Sequence, residues 1–269
     1  MKNRLPGVYP AKKKNGDAYY RASLTYNRKH ISLGSFSDEE TAHKAYIDAC
    51  NLLRTDGLSI EDHKKSATPL CFEKWVCLIN LRDNHLYFHT PIYLRPKFFY
   101  YYLSRTEILK FDSDDLFYYS SHKIMKRDGH LFVSDYGMQV NIMSRYGIKN
   151  YAVEGRDYRF INGDPSDFRY ENIEIINRFY GVTKEEKNGR QVYYTRIHVN
   201  GYFLVGVYPT EQEAAIAYNK AIDYLKKAGV SKKYTPNYID ALSPAAYADI
   251  YTALSVSSKI KNYVVTPNA

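Results

Sequence analysis

Residues 7–57 read GVYPAKKKNGDAYYRASLTYNRKHISLGSFSDEETAHKAYIDACNLLRTDG, and residues 181–229 read GVTKEEKNGRQVYYTRIHVNGYFLVGVYPTEQEAAIAYNKAIDYLKKAG. Both run from Gly-Val through a charged turn with Asn-Gly to Tyr-Tyr and an alternating stretch. A second turn, an apolar-Gly-x-aromatic step and an Ala/Tyr-rich amphipathic segment follow. The starts lie 174 residues apart, so the pattern is a duplicated unit and not a tandem array. In the first copy Tyr20, Ala22 and Leu24 form an inner row against Tyr19, Arg21 and Ser23, the period of a half-buried strand. Tyr193, Thr195 and Ile197 repeat that row, with Tyr194, Arg196 and His198 outside. Turns at Asn27-Arg28 and Asn200-Gly201 return the chain as hairpins. Ser37 with Glu40, and Thr210 with Glu213, are spaced as capping boxes. Ala42, Ala45, Tyr46 and Ala49, like Ala214, Ala217, Tyr218 and Ala221, form a small-residue stripe that lets a helix lie close to a sheet. Gly57 and Gly229 fit helix ends. Each copy therefore reads as three strands and a helix, and the chain as α+β.

Charge is concentrated in the same two places. The chain of 269 residues carries a formal net charge of +9 and a pI near 9.1. Residues 1–57 hold 10 Lys/Arg against 6 Asp/Glu, and residues 181–233 hold 9 against 5. The middle is nearly balanced at 17 against 16, and the tail carries 2 of each. A basic surface of this kind suits a polyanion, because neutralised phosphates release condensed counterions. No run approaches the roughly 18–20 apolar residues of a bilayer span. The N-terminal MKNRLPGVYP has no apolar h-region, and a cytoplasmic, nucleoid-associated protein is expected. Cys50, Cys71 and Cys77 are too few and too irregular for a disulfide framework or a zinc ribbon, and read as reduced thiols.

The organisation that follows is 1–57, a linker at 58–69, a central domain at 70–180, a second module at 181–233, and a helical tail at 234–269. The centre is rich in Tyr and Phe, as in KFFYYYL at 97–103 and DDLFYYSSH at 114–122. Clusters flanked by Leu and Ile read as core ahead of a base-stacking platform. His85 and His89, four apart in an extended segment, would share a face but lack a third metal ligand. In the tail, Ser243-Pro244 starts a helix expected to reach Lys259, with Tyr247, Ile250, Tyr251 and Leu254 on one side. That side packs on its own chain or makes a homodimer contact.

Two resemblances extend this reading. The elements GV, YRASL, LGSF and EETAHKAY, matched by GV, YYTRI, VGVY and EQEAAIAY, resemble the ethylene-response-factor (Apetala-type) DNA-binding domain and its bacterial and phage relatives. The family's usual Trp is Tyr in both copies. The resemblance implies that each three-stranded sheet enters the major groove of double-stranded DNA. Carried over by position, the DNA face comprises Tyr9, Lys13, Tyr19, Arg21, Ser23, Thr25, His30 and Ser32, and in the second copy Thr183, Tyr194, Arg196, His198, Tyr202 and Leu204. Lys12, Lys14, Arg28 and Lys29 are placed for phosphates, which position without specifying. Thr183 and Glu185 stand where the family's first strand is Arg-rich, so the second copy is expected chiefly to anchor.

The stretch RDYRFINGDPSDFRYENIEIIN at 156–177 resembles the last half of an HNH nuclease motif of the phage homing-endonuclease type, through Ile161, Asn162, Gly163, Pro165, Asp167, Arg169 and Asn172. GHLFVSDYG at 129–137 resembles the strand before such domains. The family's Asp-His pair falls on Arg159-Phe160. Phenylalanine cannot accept a proton, and an arginine repels the divalent ion that phosphodiester cleavage requires. The next module begins before a ligand-bearing helix can form. The expected architecture is two sheet-plus-helix modules flanking an aromatic-rich α+β domain with a truncated ββα hairpin. That domain is a scaffold with no catalytic residue, metal or cofactor, touching the DNA backbone through Arg156, Arg159 and Arg169. The expected function is a sequence-specific regulator, a repressor derived from a homing endonuclease. The rivals are an active nuclease using His122 or His130 with Asp135, and an architectural DNA-bending or bridging protein.

Overall fold

The computed structural model describes residues 5–265; residues 1–4 of the N-terminal stretch and 266–269 of the tail lie outside it. The protein is a mixed α+β chain built on several small antiparallel sheets. It divides into two compact units, one holding residues up to Ile142 together with Asp164–Asn172, the other Met143–Gly163 and residues from Ile173 onward.

The first unit opens with strands β1 (Val8–Lys12), β2 (Ala18–Tyr26) and β3 (Lys29–Phe36), in the order β1-β2-β3. Asn27 and Arg28 both take positive φ, the geometry a two-residue hairpin turn needs. Helix α1 (Glu39–Arg54) lies on the sheet through Ala42, Ala45 and Ala49, all buried. Its N-cap is Asp38, whose Oδ1 accepts the Thr41 N–H at 2.7 Å, while the Ser37 hydroxyl donates to Asp38. The expected Ser37–Glu40 box is not formed, because the carboxylate one residue on makes the stronger, charge-assisted cap. The helix also ends at Arg54 with Thr55 extended, so Gly57 belongs to a separate turn and not to the cap.

Helix α2 (Phe72–Asn84) packs beside α1, and the shared core runs from Val8 through Trp75 to Tyr102. His85 ends α2 in the left-handed conformation (φ 58), bonded to the Leu81 carbonyl. His85 and His89 thus sit on a helix cap and the loop after it, not on a common strand. The sheet β4 (Ile92–Leu94), β5 (Phe98–Tyr102) and β6 (Ile108–Asp112) carries the aromatic centre. With α3 (Leu116–Ser121) it buries Phe99, Tyr101, Phe111 and Tyr119, the last two with ring centroids 4.4 Å apart. These rings are core, as expected. A meander of β7 (Ile124–Arg127), β8 (His130–Asp135) and β9 (Met138–Asn141) follows, turned at Asp128-Gly129 and Tyr136-Gly137. Residues 164–172 rejoin this unit along β6: Lys110 N–H bonds Ser166 O, Phe168 N–H bonds Lys110 O, and Phe168 stacks on Phe111.

In the second unit β10 (Tyr158–Phe160) pairs antiparallel with β11 (Ile173–Ile175). β12 (Val182–Lys187), β13 (Arg190–His198) and β14 (Tyr202–Tyr208) form a second three-stranded sheet, with no helix between β11 and β12. Helix α4 (Glu211–Lys227) covers that sheet. Its capping box is complete: Thr210 Oγ1 accepts from the Glu213 N–H and Glu213 accepts from the Thr210 N–H. At the other end Gly229 N–H bonds Lys226 O and Val230 N–H bonds Leu225 O, a Schellman closure with Gly229 at φ +87. Helix α5 (Pro244–Ala253) is capped by Ser243 as expected but stops short of Lys259, and a short α6 (Ser258–Lys261) follows. The break has a cause. The ammonium of buried Lys220 takes the carbonyls of Tyr251 and Leu254 at 2.5 and 2.7 Å, and Ser257 N–H bonds Val205 O on β14. Tyr247, Ile250, Tyr251 and Leu254 pack into this unit's own core.

Candidate nucleic-acid interface

The two sheets share details that the sequence repeat does not state. Each has a bulge at the same place on its third strand, at Leu33 and at Val205, opposite the Ala22/Ser23 and Thr195/Arg196 steps of the middle strand. In each, the second residue of that step donates its N–H to the glycine that opens the copy, Ser23 to Gly7 and Arg196 to Gly181. Gly7 (φ +76) and Gly181 (φ +69) lie against the helix tyrosines Tyr46 and Tyr218, so closely that a Cβ would fall 2.1 and 2.3 Å from the rings. Only glycine satisfies both the turn and that approach.

On the first sheet the uncovered face carries Tyr9, Arg21, Thr25, His30 and Ser32 exposed, with Tyr19 half-buried. Tyr9 stands across from Arg21. Ser23 lies in the same row but is only 6% exposed, its small side chain set beside the bulge between Arg21 and Thr25. Lys12, Lys13 and Lys14 line a cleft of about 840 Å³ with Tyr19, Ser35 and Ser37. Arg28 and Lys29 sit at the opposite turn, Lys29 with its ammonium 5.6 Å from the Tyr87 ring centre. Among the described residues the side chains of Arg21, Lys12, Lys13, Lys14 and Arg28 have no hydrogen-bond or ion-pair partner. Ser35 was not among the expected face residues. Carrying the outward alternation past the bulge in β3 would have found it.

The second sheet is built the same way with different chemistry. Arg196 stacks 4.9 Å from the Tyr194 ring centre and donates to Thr183 Oγ1 at 3.0 Å and Glu185 Oε1 at 3.3 Å. His198 is engaged by Lys232, whose ammonium lies 3.0 Å from both its Nδ1 and its carbonyl oxygen. Tyr202 and Leu204 are exposed, and so is Val207, which sequence reasoning did not single out.

The three arginines of the nuclease-like segment are all committed within it. Arg156 pairs with buried Asp157 at 2.6 Å, Arg159 with Glu174 at 2.5 Å, and Arg169 with buried Asp167 at 2.7 Å. Burial pushes Asp167 up, but hydrogen bonds from Arg169 and the charge of Lys110 outweigh it, and its carboxyl titrates below the usual 3.8. Asp157 is held low in the same way by Arg156 and the Val153 N–H against its burial. Asn172 donates to Asp167 O and Asp164 accepts from Ser166, which fixes the loop. His122 lies 3.5 Å from Asp135, its ring stacked on Tyr118; His130 is exposed at the start of β8, the end of that strand away from Asp135. Among the described residues no three His, Cys, Asp or Glu side chains converge to hold a metal, and no helix is long and apolar enough to cross a membrane. Comparisons with protein-family models, with curated proteins and with solved structures found no match for this chain.

Proposed function

We propose that this chain is a sequence-specific double-stranded-DNA-binding protein, a non-enzymatic transcriptional repressor descended from a homing endonuclease. In this reading β1–β3 with α1, and β12–β14 with α4, are ethylene-response-type modules on either side of an HNH-like scaffold in sequence. The observation that supports it most is electrostatic. The unpartnered cations of the first sheet surround a row of hydroxyls and one exposed Arg21, on a sheet whose other face is filled by α1. An arginine so placed can read guanine O6 and N7, while the lysines of the β1–β2 turn meet phosphates. The arginines of the hairpin and Arg196 are already neutralised, which makes them poorer contacts for DNA.

The test is selection of bound duplexes from a random pool by the full-length chain, followed by titration of the winner at several salt concentrations. A recurrent motif with steep salt dependence is expected. Arg21→Ala should cost about 1–3 kcal/mol and relax the motif at one position, whereas Lys13→Ala should weaken all duplexes alike. If no motif emerges, or Arg21→Ala binds as selectively as the parent, the reading is wrong.

The His122–Asp135 approach is the observation that favours a second reading, a nuclease with a site unlike the family's. Nicking of supercoiled plasmid with magnesium or manganese, lost in His122→Ala, would establish it.

A further inference from the structure

We infer that the outer face of the second sheet is a thymine-reading surface, whose β14 row contacts the 5-methyl groups of a thymine-rich block in the major groove. This rests on the DNA-binding reading above and deepens it.

The two sheets serve as each other's control. Their shared bulge fixes the correspondence along the third strand: His30 answers to Tyr202, Ser32 to Leu204 and Ser35 to Val207. Where the first copy presents an imidazole and two hydroxyls, the second presents three apolar side chains, exposed at 81%, 48% and 44%. They form one outward row on one strand, and not a scatter of single surface residues. The only apolar group displayed in the major groove is the thymine methyl, and apolar side chains are its natural contact.

The rest of the face agrees. Arg196 is drawn back against Tyr194 by Glu185 and Thr183, so the direct guanine reader of this sheet is held in place by its own strands. Lys187 and Arg190 face each other, exposed, beside the β12–β13 turn, and Lys232 is fastened at the far end of β13 through His198. Of the two acids on β12, Glu185 is paired with Arg196. The apolar row is thus framed by net positive charge, which suits a phosphate-flanked groove better than a protein partner.

Deoxyuridine in place of thymidine tests this without altering the protein, since it keeps base pairing and removes only the methyl. The full-length chain is titrated with its selected duplex and with versions carrying deoxyuridine at each thymine in turn. Two or three positions should each weaken binding about fourfold, the loss of one buried methyl-sized group. The Tyr202→His, Leu204→Ser, Val207→Ser variant, which installs the first copy's residues at exposed positions, should bind the selected duplex and its deoxyuridine versions equally, at the parent's affinity for the deoxyuridine form. Binding that depends on Arg21 but ignores every thymine methyl would overturn this inference alone. Failure to bind any duplex selectively would overturn the DNA-binding reading and this inference with it. A dimer by light scattering that the Tyr202→His, Leu204→Ser, Val207→Ser variant abolishes, with no methyl dependence, would assign the row to a second copy instead.

Discussion

Gly7→Ala should destabilise the first unit more than a glycine substitution elsewhere in the same hairpin. Two costs add. Alanine at φ +76 pays the left-handed strain of an L-residue, about 1–2 kcal/mol. Its Cβ would also stand 2.1 Å from the ring of Tyr46, which packs on the core that α1 shares with the sheet. Moving that ring is an overpacking cost of about 1–3 kcal/mol. Together these give about 2–5 kcal/mol, or a loss of about 1–2 M in urea midpoint at the usual slope for a domain of this size. The reporter is built in. Trp75 is the chain's single tryptophan, 4% exposed in the same core, its indole N–H bonded to Ser59 O. Its fluorescence follows the first unit. Gly16→Ala is the control: φ is +93, yet nothing lies within 4 Å of its Cβ, so only the strain remains and the midpoint should move about half as far. Gly181→Ala, which meets Tyr218 in the other core, should leave the Trp75 transition in place. Equal shifts for Gly7→Ala and Gly16→Ala would refute the close approach of helix and turn on which the module's geometry depends.

Three further outcomes follow from the polar contacts. Asp167→Asn should lower the first unit's stability at pH 7; because the folded carboxyl titrates below 3.8, its contribution is present above that pH and lost as pH falls through the lower folded value. Urea titrations followed by Trp75 should therefore find the difference between parent and variant shrinking as pH falls below 3.8 and through the lower folded value. Lys220→Met should free the carbonyls of Tyr251 and Leu254, and hydrogen exchange across 244–257 should accelerate at least about tenfold, as for the loss of a charged hydrogen bond of about 1.5–3 kcal/mol. Asp38→Ala should lower the Trp75 midpoint while Ser37→Ala leaves it unchanged, since Asp38 holds the Thr41 N–H and Ser37 does not cap.

What the sequence made legible is what local chemistry determines. Alternation, Asn-Gly turns and the alanine stripe define both sheets and both helices, because each signal lies within a few residues of the structure it specifies. The departures are long-range or nearly degenerate. Ser37 and Asp38 are adjacent residues that can both cap, and the charge-assisted bond of the Asp38 carboxylate decides between them. The end of α5 depends on Lys220, on another helix. The turn at 164–172 looks like the tip of one hairpin, yet its backbone is captured by β6 through Lys110. On the two sheets the sequence already marked the second copy as the weaker candidate reader through Thr183 and Glu185, but it did not show that Arg196 is tied down while Arg21 is free. Their difference comes from register, which sets Thr183 opposite Tyr194 and brings Glu185 within reach of Arg196.

The charges of segment 156–177 are likewise paired within the fold. A hydrolytic centre keeps a base and metal ligands short of internal partners so that they remain available to water and ion. Here the corresponding positions serve the strand pair. Arg159 faces Glu174 directly across β10 and β11 and is paired with it, and Phe160 is buried beside Tyr158. An aspartate at 159 would oppose Glu174 as a like charge, which destabilises a cross-strand pair. A histidine at 160 would replace a buried ring with a group that needs a polar partner. Asp157 and Asp167, the buried acids nearby, are each bound by an arginine and by backbone N–H groups. Charge that in a nuclease would hold a cation holds the turn here, and under the proposed DNA-binding reading the unpartnered cations of the first sheet are the contacts left for a phosphate backbone.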